Sequence, residues 1–189
     1  MSTTKNGAST TKVITGKCRL SYAHLFKPWA GETGQEEKYS ACIIIPKSDK
    51  VTIGKIKAAI EAAKQAGISK WGGKIPPNLK NPLRDGDIER PDDPAFKNSY
   101  FLNASSKMKP GIIDRDKQEI LDSTEVYSGC YCRFSINFFP FNTAGNKGIG
   151  CGLNNVQKVA DGEFLGGRAR AEDEFDEWTE DDLEEPDFL

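Results

Sequence analysis

The stretch "EVYSGCYCRFSINFFPF" (125–141) is the strongest strand pattern in the chain and limits the folds open to it. Alternation along a strand sends successive side chains to opposite faces. One face is apolar and suits a core, with Cys132, Phe134, Ile136 and Phe138. The other face mixes aromatic, basic and small polar groups: Tyr131, Arg133, Ser135, Asn137 and Phe139. "NTAGNKG" (142–148) has the composition of a hairpin loop, and 149–159 is predicted to return as a strand.

One helix is predicted, over residues 48–67. Ser48 or Asp49 would cap its start, and isoleucines at helical spacing would face the core. Gly67 lies where a glycine commonly ends a helix. The other expected elements are strands at 12–22, 38–46 and 99–107, a short strand and turn at 109–120, a loop at 23–37, and a long irregular stretch at 68–98.

Short strands around one helix favour a mainly β fold, a small β-barrel of the OB-fold type with one inserted helix and long loops. A generic α+β domain is the alternative. The predicted organisation is a disordered N-terminus (1–11), an OB-fold-like DNA-binding domain (12–160), a flexible linker (161–170) and a disordered acidic C-terminal tail (171–189).

The charge is divided between the body and the end of the chain. Residues 171–189 hold 11 acidic residues and no Lys or Arg, whereas residues 1–170 hold 17 acidic residues against 26 basic ones, a net charge of +9. A basic body with an acidic tail suggests nucleic-acid binding and an interaction tail. A merely solubilising tail is the plainer alternative.

Five cysteines occur, with no CxxC pair and a single histidine, His24. They are expected to be small core residues in a reducing compartment, and neither a metal nor a cofactor is expected. No stretch is long and apolar enough for a membrane span, so we expect a soluble, cytoplasmic protein. The oligomeric state stays open.

Basic and aromatic residues recur together in the predicted loops and on outer strand faces. Single-stranded nucleic acid offers bases for stacking and phosphates for charge neutralisation, which this combination suits. Packing of these aromatic residues under loops is the structural alternative. The candidate DNA-binding residues are Lys17, Arg19, Phe26, Lys27, Trp29, Lys70, Trp71, Lys74, Lys107, Lys109, Tyr131, Arg133, Phe139 and Lys147.

An enzymatic alternative rests on the carboxylates of "RDGDIERPDD" (84–93). Asp85 and Asp87 could hold Mg²⁺ for a nuclease or a pairing enzyme. The segment has no nearby histidine, and a turn stabilised by Asp85-Gly86 explains it more simply. We therefore expect no catalytic residue and a protein that is not an enzyme.

The motifs "TIGKIKAAIEAAKQAG", "WGGK", "NPLRDGD" and "YSGCYCRFSINFFPFNTAGNKGIGCGLNNVQK" resemble, in this order, a family of phage-encoded OB-fold single-stranded DNA-binding proteins. The resemblance covers about residues 12–160. It implies sequence-tolerant binding of single-stranded DNA in phage replication, recombination or repair, inside the infected host cell.

The tail is similar in plan to the acidic C-termini of other replication single-strand binders, which usually end on an aromatic residue. Here Leu189 follows Phe188. We expect the tail to compete with DNA for the basic body and to recruit replication or recombination proteins through Trp178, Phe188 and Leu189. A protein that acts only through its tail, as an interaction protein or DNA mimic, is a further alternative.

Overall fold

A computed structural model describes residues 10–31, 36–166 and 175–179. The predictions for the first nine residues and for most of the acidic tail, including Phe188 and Leu189, lie outside these residues. The strands are β1 (Lys12–Ile14), β2 (Cys18–Trp29), β3 (Lys38–Pro46), β4 (Arg84–Asp85), β5 (Ser99–Ser106), β6 (Gly111–Ile113), β7 (Tyr131–Thr143) and β8 (Asn146–Ala160). The helices are α1 (Lys50–Gly67) and α2 (Gly86–Glu89), with short 3₁₀ helices at Ile68–Trp71, Pro94–Phe96 and Ser123–Glu125.

Five strands close into a barrel in the order β2–β3–β5–β8–β7, and β7 pairs again with β2. All of these pairs are antiparallel except β5–β8, which is parallel. The closed five-stranded arrangement with one long helix confirms the predicted OB-fold class. β1 and β6 extend the sheet beside β7 and β8.

The barrel interior holds the apolar face predicted for β7, since Phe134, Ile136 and Phe138 are buried. Burial of each such side chain contributes about 1.5–3 kcal/mol. Helix α1 packs against this core through its isoleucines, and the Asp49 side chain caps it by accepting from the Thr52 amide. The predicted helix is confirmed and ends at Gly67, as predicted; Gly67 keeps a right-handed backbone, and the left-handed glycine, Gly72 (φ 82°), ends the following 3₁₀ turn.

Two local predictions near the N-terminus are wrong. The single strand expected at 12–22 is broken between β1 and β2, where the buried Thr15 hydroxyl accepts from the Phe134 amide. The loop expected at 23–37 is largely strand, since β2 runs to Trp29 and pairs with Lys38 of β3. Irregular pairing between His24 and Trp29 accommodates Pro28, which sequence patterns treat as a breaker.

Part of the irregular stretch at 68–98 covers the outer face of the barrel. Phe96 packs there with Phe101, Cys42 and Ile44 in a second apolar cluster, separate from the barrel interior. The rings of Phe96 and Phe101 meet edge to face, with their centroids 5.0 Å apart. This stretch is therefore an ordered cover over β3 and β5.

Residues 161–166, within the predicted linker, lie against the barrel. Arg19 Nη2 donates to the Glu163 carbonyl at 2.7 Å, and the Leu165 amide donates to the Ser128 carbonyl at 2.9 Å. Leu165 also contacts the second apolar cluster. The chain therefore leaves the body near the outer face of β3 and β5.

All five cysteines are buried, as predicted for core residues. Burial raises the pKa of Cys18, Cys42 and Cys151 to about 12, which keeps these thiols protonated. Within the described part of the chain, no helix is long and apolar enough to cross a membrane.

Candidate nucleic-acid interface

The hairpin between β7 and β8 carries an aromatic surface laid over glycines. Phe139 pairs with Gly150 and Phe141 with Gly148 across the two strands. A Cβ placed on Gly150 would lie 2.5 Å from Phe139 Cζ, and one on Gly148 would lie 2.8 Å from Phe141 Cζ. The rings can lie against the strand only because these positions lack side chains. Phe139 remains 42% exposed.

A groove of about 930 Å³ runs beside this aromatic surface. One wall is the segment 78–89, and the other is the start of β8 with Phe141 and Asn103. We call it the hairpin groove; its charged lining residues are the basic Lys80, Arg84 and Lys147 and the acidic Asp85 and Glu89, and Arg84 pairs with Glu89 at 2.6 Å. Its excess of basic over acidic side chains and the adjacent exposed ring suit a single strand of nucleic acid, whose phosphates and bases need both kinds of contact.

Trp71 serves a different role from the one predicted. It is 4% exposed, and its indole Nε1 donates to the Phe141 carbonyl at 2.9 Å. It therefore anchors the 3₁₀ turn to the hairpin and offers no ring to a base in this conformation. The flanking Lys70 and Lys74 are exposed, so their charges remain accessible beside the hairpin.

A second group of predicted residues lies on the extended end of β2 and near the end of β5. Trp29 is 56% exposed and stacks on His24, with ring centroids 4.7 Å apart. Lys109 Nζ lies 5.1 Å from the Phe26 ring centroid, and Lys107 pairs with Glu36 at 3.2 Å. With the exposed Lys27, these side chains form a basic aromatic surface that we call the arm: Phe26, Lys27, Trp29, Lys107 and Lys109.

A third group lies at the start of β7, about 26 Å from Phe139 at ~3.3 Å per strand residue. Lys17 Nζ and Arg19 Cζ lie 5.3 and 5.5 Å from the Tyr131 ring centroid. Arg19 also binds the Gly129 and Glu163 carbonyls, and Arg133 Nε donates to the Thr15 carbonyl at 3.1 Å. These two guanidinium groups hold the protein's own backbone, so Lys17 has the most accessible charge of this group.

The carboxylates of the enzymatic alternative are bound to one lysine. Lys47 Nζ lies 2.9 Å from Asp85 and 2.8 Å from Asp87. The hydrogen bonds from Lys47 hold the pKa of both carboxyl groups below the usual value. Asp85 also caps α2 by accepting from the Asp87 amide, and Asp87 accepts from the Asn98 amide. This pair therefore fastens the cover to the barrel.

Sequence reasoning missed several groove residues. Lys80, Arg84 and Asn103 were absent from the candidates, and Phe141 was placed in the strand without a role. A usable signal was present: glycines at 148, 150 and 152 follow strand spacing, and the first two lie opposite Phe141 and Phe139 of the preceding strand. The groove itself required the 78–89 segment to fold back, which no local pattern predicts.

The family is decided by comparison with known proteins. The profile of the family described as the single-stranded DNA-binding protein of Enterobacter phage Enc34 matches residues 11–187. The chain belongs to this family. A relative from Acyrthosiphon pisum secondary endosymbiont phage 1, described as putative protein p50, is 32% identical over 185 residues, 92% of this chain and 97% of the relative.

Solved structures agree with the family assignment. The single-stranded DNA-binding protein from bacteriophage Enc34 in complex with ssDNA matches with a TM-score of 0.72 and 30% identity, covering 82% of this chain and 90% of that one. The single-stranded DNA-binding protein gp2.5 of bacteriophage T7 matches with a TM-score of 0.59 and 16% identity, covering 89% of this chain and 96% of that one. The T7 likeness extends to the fold alone.

Proposed function

We propose that this protein binds single-stranded DNA with little sequence preference, in the hairpin groove and along the arm, during phage DNA replication, recombination or repair. The observation that carries the proposal is the exposed Phe139 ring over Gly150, beside a groove with three basic side chains. Stacking on such a ring tolerates any base, because every base has a π-face. The Enc34 relative with bound ssDNA supports the same ligand class.

Fluorescence anisotropy with labelled oligothymidine tests this proposal. The wild-type protein should bind, and the affinity should fall with salt because neutralised phosphates release counterions. Phe139→Ala should weaken binding by about 1–3 kcal/mol, the usual worth of one stacked base. Val51→Ala, an exposed change on α1, is the matched control and should leave affinity unchanged. No binding at low salt, or equal affinities for the Phe139 variant and the control, would reject the proposed site.

The acidic tail is proposed to compete with DNA for the basic body. The tail carries 11 carboxylates, whereas residues 1–170 have a net charge of +9. Its aromatic side chains could stack in the same way as bases. Trp178, the one candidate tail residue within the described ranges, is 68% exposed. Leu165 packs against the second apolar cluster, and Cys42 of that cluster pairs with Asn103 of the groove across β3 and β5. A tethered tail has an effective concentration on the order of mM, enough for a weak competitor.

Truncation after Arg170 separates competition from recruitment. The truncated protein should bind DNA more tightly than the full chain, most clearly at low salt, where charge competition is strongest. Removal of Phe188 and Leu189 alone should leave DNA affinity unchanged and abolish capture of replication or recombination proteins from infected cells. Unchanged affinity after truncation at Arg170 would leave recruitment as the tail's remaining role.

A further inference from the structure

Tyr22 on β2 has a strained backbone and an exposed side chain. Its φ is 44°, in the left-handed region that bulky residues rarely occupy. The residue is 54% exposed and lies at an irregularity of the β2–β3 pairing between Ser21 and His24. Backbone strain of this kind clusters at sites where a side chain must be aimed in a particular direction. Nothing in the barrel core requires the ring at this position.

Arg90 holds the Tyr22 ring from the protein side. Its Nη1 donates to the Tyr22 hydroxyl at 3.2 Å, and its Cζ lies 5.5 Å from the ring centroid. The same guanidinium lies 5.0 Å from the Phe96 ring and 5.7 Å from the Phe101 ring. Because Arg90 is fixed by three aromatic rings, the Tyr22 ring has a preferred orientation before any ligand arrives.

A row of cations and rings joins Tyr22 to the hairpin groove. Arg84 lines the groove, and its Cζ lies 5.0 Å from the Phe101 ring centroid. Phe101 is therefore in contact with Arg84 and with Arg90, and Arg90 reaches Tyr22. This row of guanidinium groups and rings thus continues from the groove across the outer face of the barrel to an exposed aromatic side chain.

We propose that Tyr22 is a second base-stacking station for the same DNA strand, reached where the strand leaves the hairpin groove past Arg84. The inference rests on the proposed function, because its ligand is the strand bound in that groove. Arg90, together with Arg84, which also pairs with Glu89 at 2.6 Å, presents guanidinium groups to the phosphates between the two stations. One OB-fold commonly binds about 4–16 nucleotides, and we expect a strand of that length to contact both the hairpin groove and Tyr22.

The test is a length series. Oligothymidines covering about 4–16 nucleotides are titrated by anisotropy against the wild-type protein and two variants that lack the ring. Tyr22→Ala removes the ring, and Tyr22→Gly removes it with a residue that adopts positive φ without strain, so folding is preserved. Both variants should match the wild type on the shortest bound oligomers. On longer oligomers, the affinity of both variants should be about 5- to 150-fold lower than that of the wild type, which corresponds to the loss of one stacked base.

Two further proteins serve as controls. Tyr22→Phe keeps the ring and loses the hydroxyl, so it should follow the wild-type length dependence; Val51→Ala should do the same. An equal loss at every length, or no loss at any length, would overturn the second station while leaving binding in the groove intact. Absence of binding by the wild-type protein at every length would overturn the proposed function itself.

Discussion

Two segments of this protein each place a tryptophan beside lysine, and they differ in whether that tryptophan is exposed. The segment 26–29 combines Phe26 and Trp29 with Lys27, and the segment 69–74 combines Trp71 with Lys70 and Lys74. Trp29 is 56% exposed, whereas Trp71 is 4% exposed and bonded to the hairpin. Both patterns are typical of a nucleic-acid surface, yet only the first presents its tryptophan to solvent.

The difference arises from what each tryptophan finds nearby. Trp71 follows α1 and reaches a free backbone carbonyl on Phe141, so its indole gains both burial and a hydrogen bond. Trp29 lies where β2 and β3 extend away from the barrel, and its ring stacks on His24 alone among the described aromatic rings. Composition therefore indicates a nucleic-acid surface only where the tertiary structure provides no pocket that buries the aromatic ring.

The largest expected effect is on stability, at Trp71. Trp71→Ala should lower the free energy of unfolding by about 3–5 kcal/mol, since a large buried ring and its hydrogen bond are lost. Trp71→Phe keeps much of the volume and should cost less. Denaturant unfolding followed by far-UV circular dichroism measures both. A loss below about 1 kcal/mol for the alanine variant would contradict the anchor role.

Trp29→Ala should show the reverse pattern. We expect the free energy of unfolding to stay within about 0.5 kcal/mol of the wild type, as for most surface changes. The binding of oligothymidine should weaken by about 1–3 kcal/mol, because one stacking ring is lost. Unfolding and anisotropy on the same preparation measure both quantities. Unchanged affinity would remove the arm from the proposed DNA path.

Gly150→Ala extends the comparison to an aromatic residue whose position depends on a glycine. The added methyl group would lie 2.5 Å from Phe139 Cζ, so the ring must move off the strand. Affinity for single-stranded DNA should fall, by less than in Phe139→Ala, because the ring is displaced and not removed. Gly54→Ala on exposed α1, where an added Cβ meets nothing within 4 Å, is the matched glycine control. Equal affinities in the two glycine variants would show that the ring's placement is unimportant.

Lys147→Gln tests the charge of the groove apart from its rings. The slope of log affinity against log salt should become shallower by about 0.7, the value for one phosphate contact on a single strand. Lys55→Gln, an exposed lysine on α1, should leave the slope unchanged. The measurement is an anisotropy titration at several salt concentrations. A shallower slope in the Lys55 variant alone would show that the DNA contacts helix α1 and not the hairpin groove.

The smallest expected effect concerns Lys47, which binds the carboxylates of Asp85 and Asp87 in the cover. The pKa of Asp85 and Asp87 is lowered in the folded protein by Lys47, so their contribution to stability is present above the unfolded value of 3.8. This contribution to stability is lost as the pH falls through the lowered pKa values that the two carboxyl groups have in the folded protein. Lys47→Met should therefore lower the melting temperature at neutral pH, and the two proteins should converge on acidification below 3.8. A difference that persists in acid would assign Lys47 another role.

Local patterns were sufficient for the elements with strict periodicity. The β7–β8 hairpin and helix α1 were predicted because their apolar residues repeat at strand and helix spacing, and a capping residue marks the helix start. The residues of the arm were predicted, but the extension of β2 to Trp29 was not, because Pro28 suggests a break, whereas irregular pairing in a two-stranded ribbon tolerates it. The ordered cover was missed because its stability comes from contacts with Phe101 and Lys47, which are distant in sequence.

The sequence by itself determined the barrel class, the single long helix, the basic body and the acidic end, because these depend on periodicity and composition. Only the tertiary structure decided which aromatic rings are exposed. Phe139 rests on Gly150, Trp71 enters a pocket, and Tyr22 is held outward by Arg90. The spacing of the glycines near residue 150 indicates the first of these contacts, whereas the partners of Trp71 and Tyr22 are distant in sequence and come close only when the chain folds.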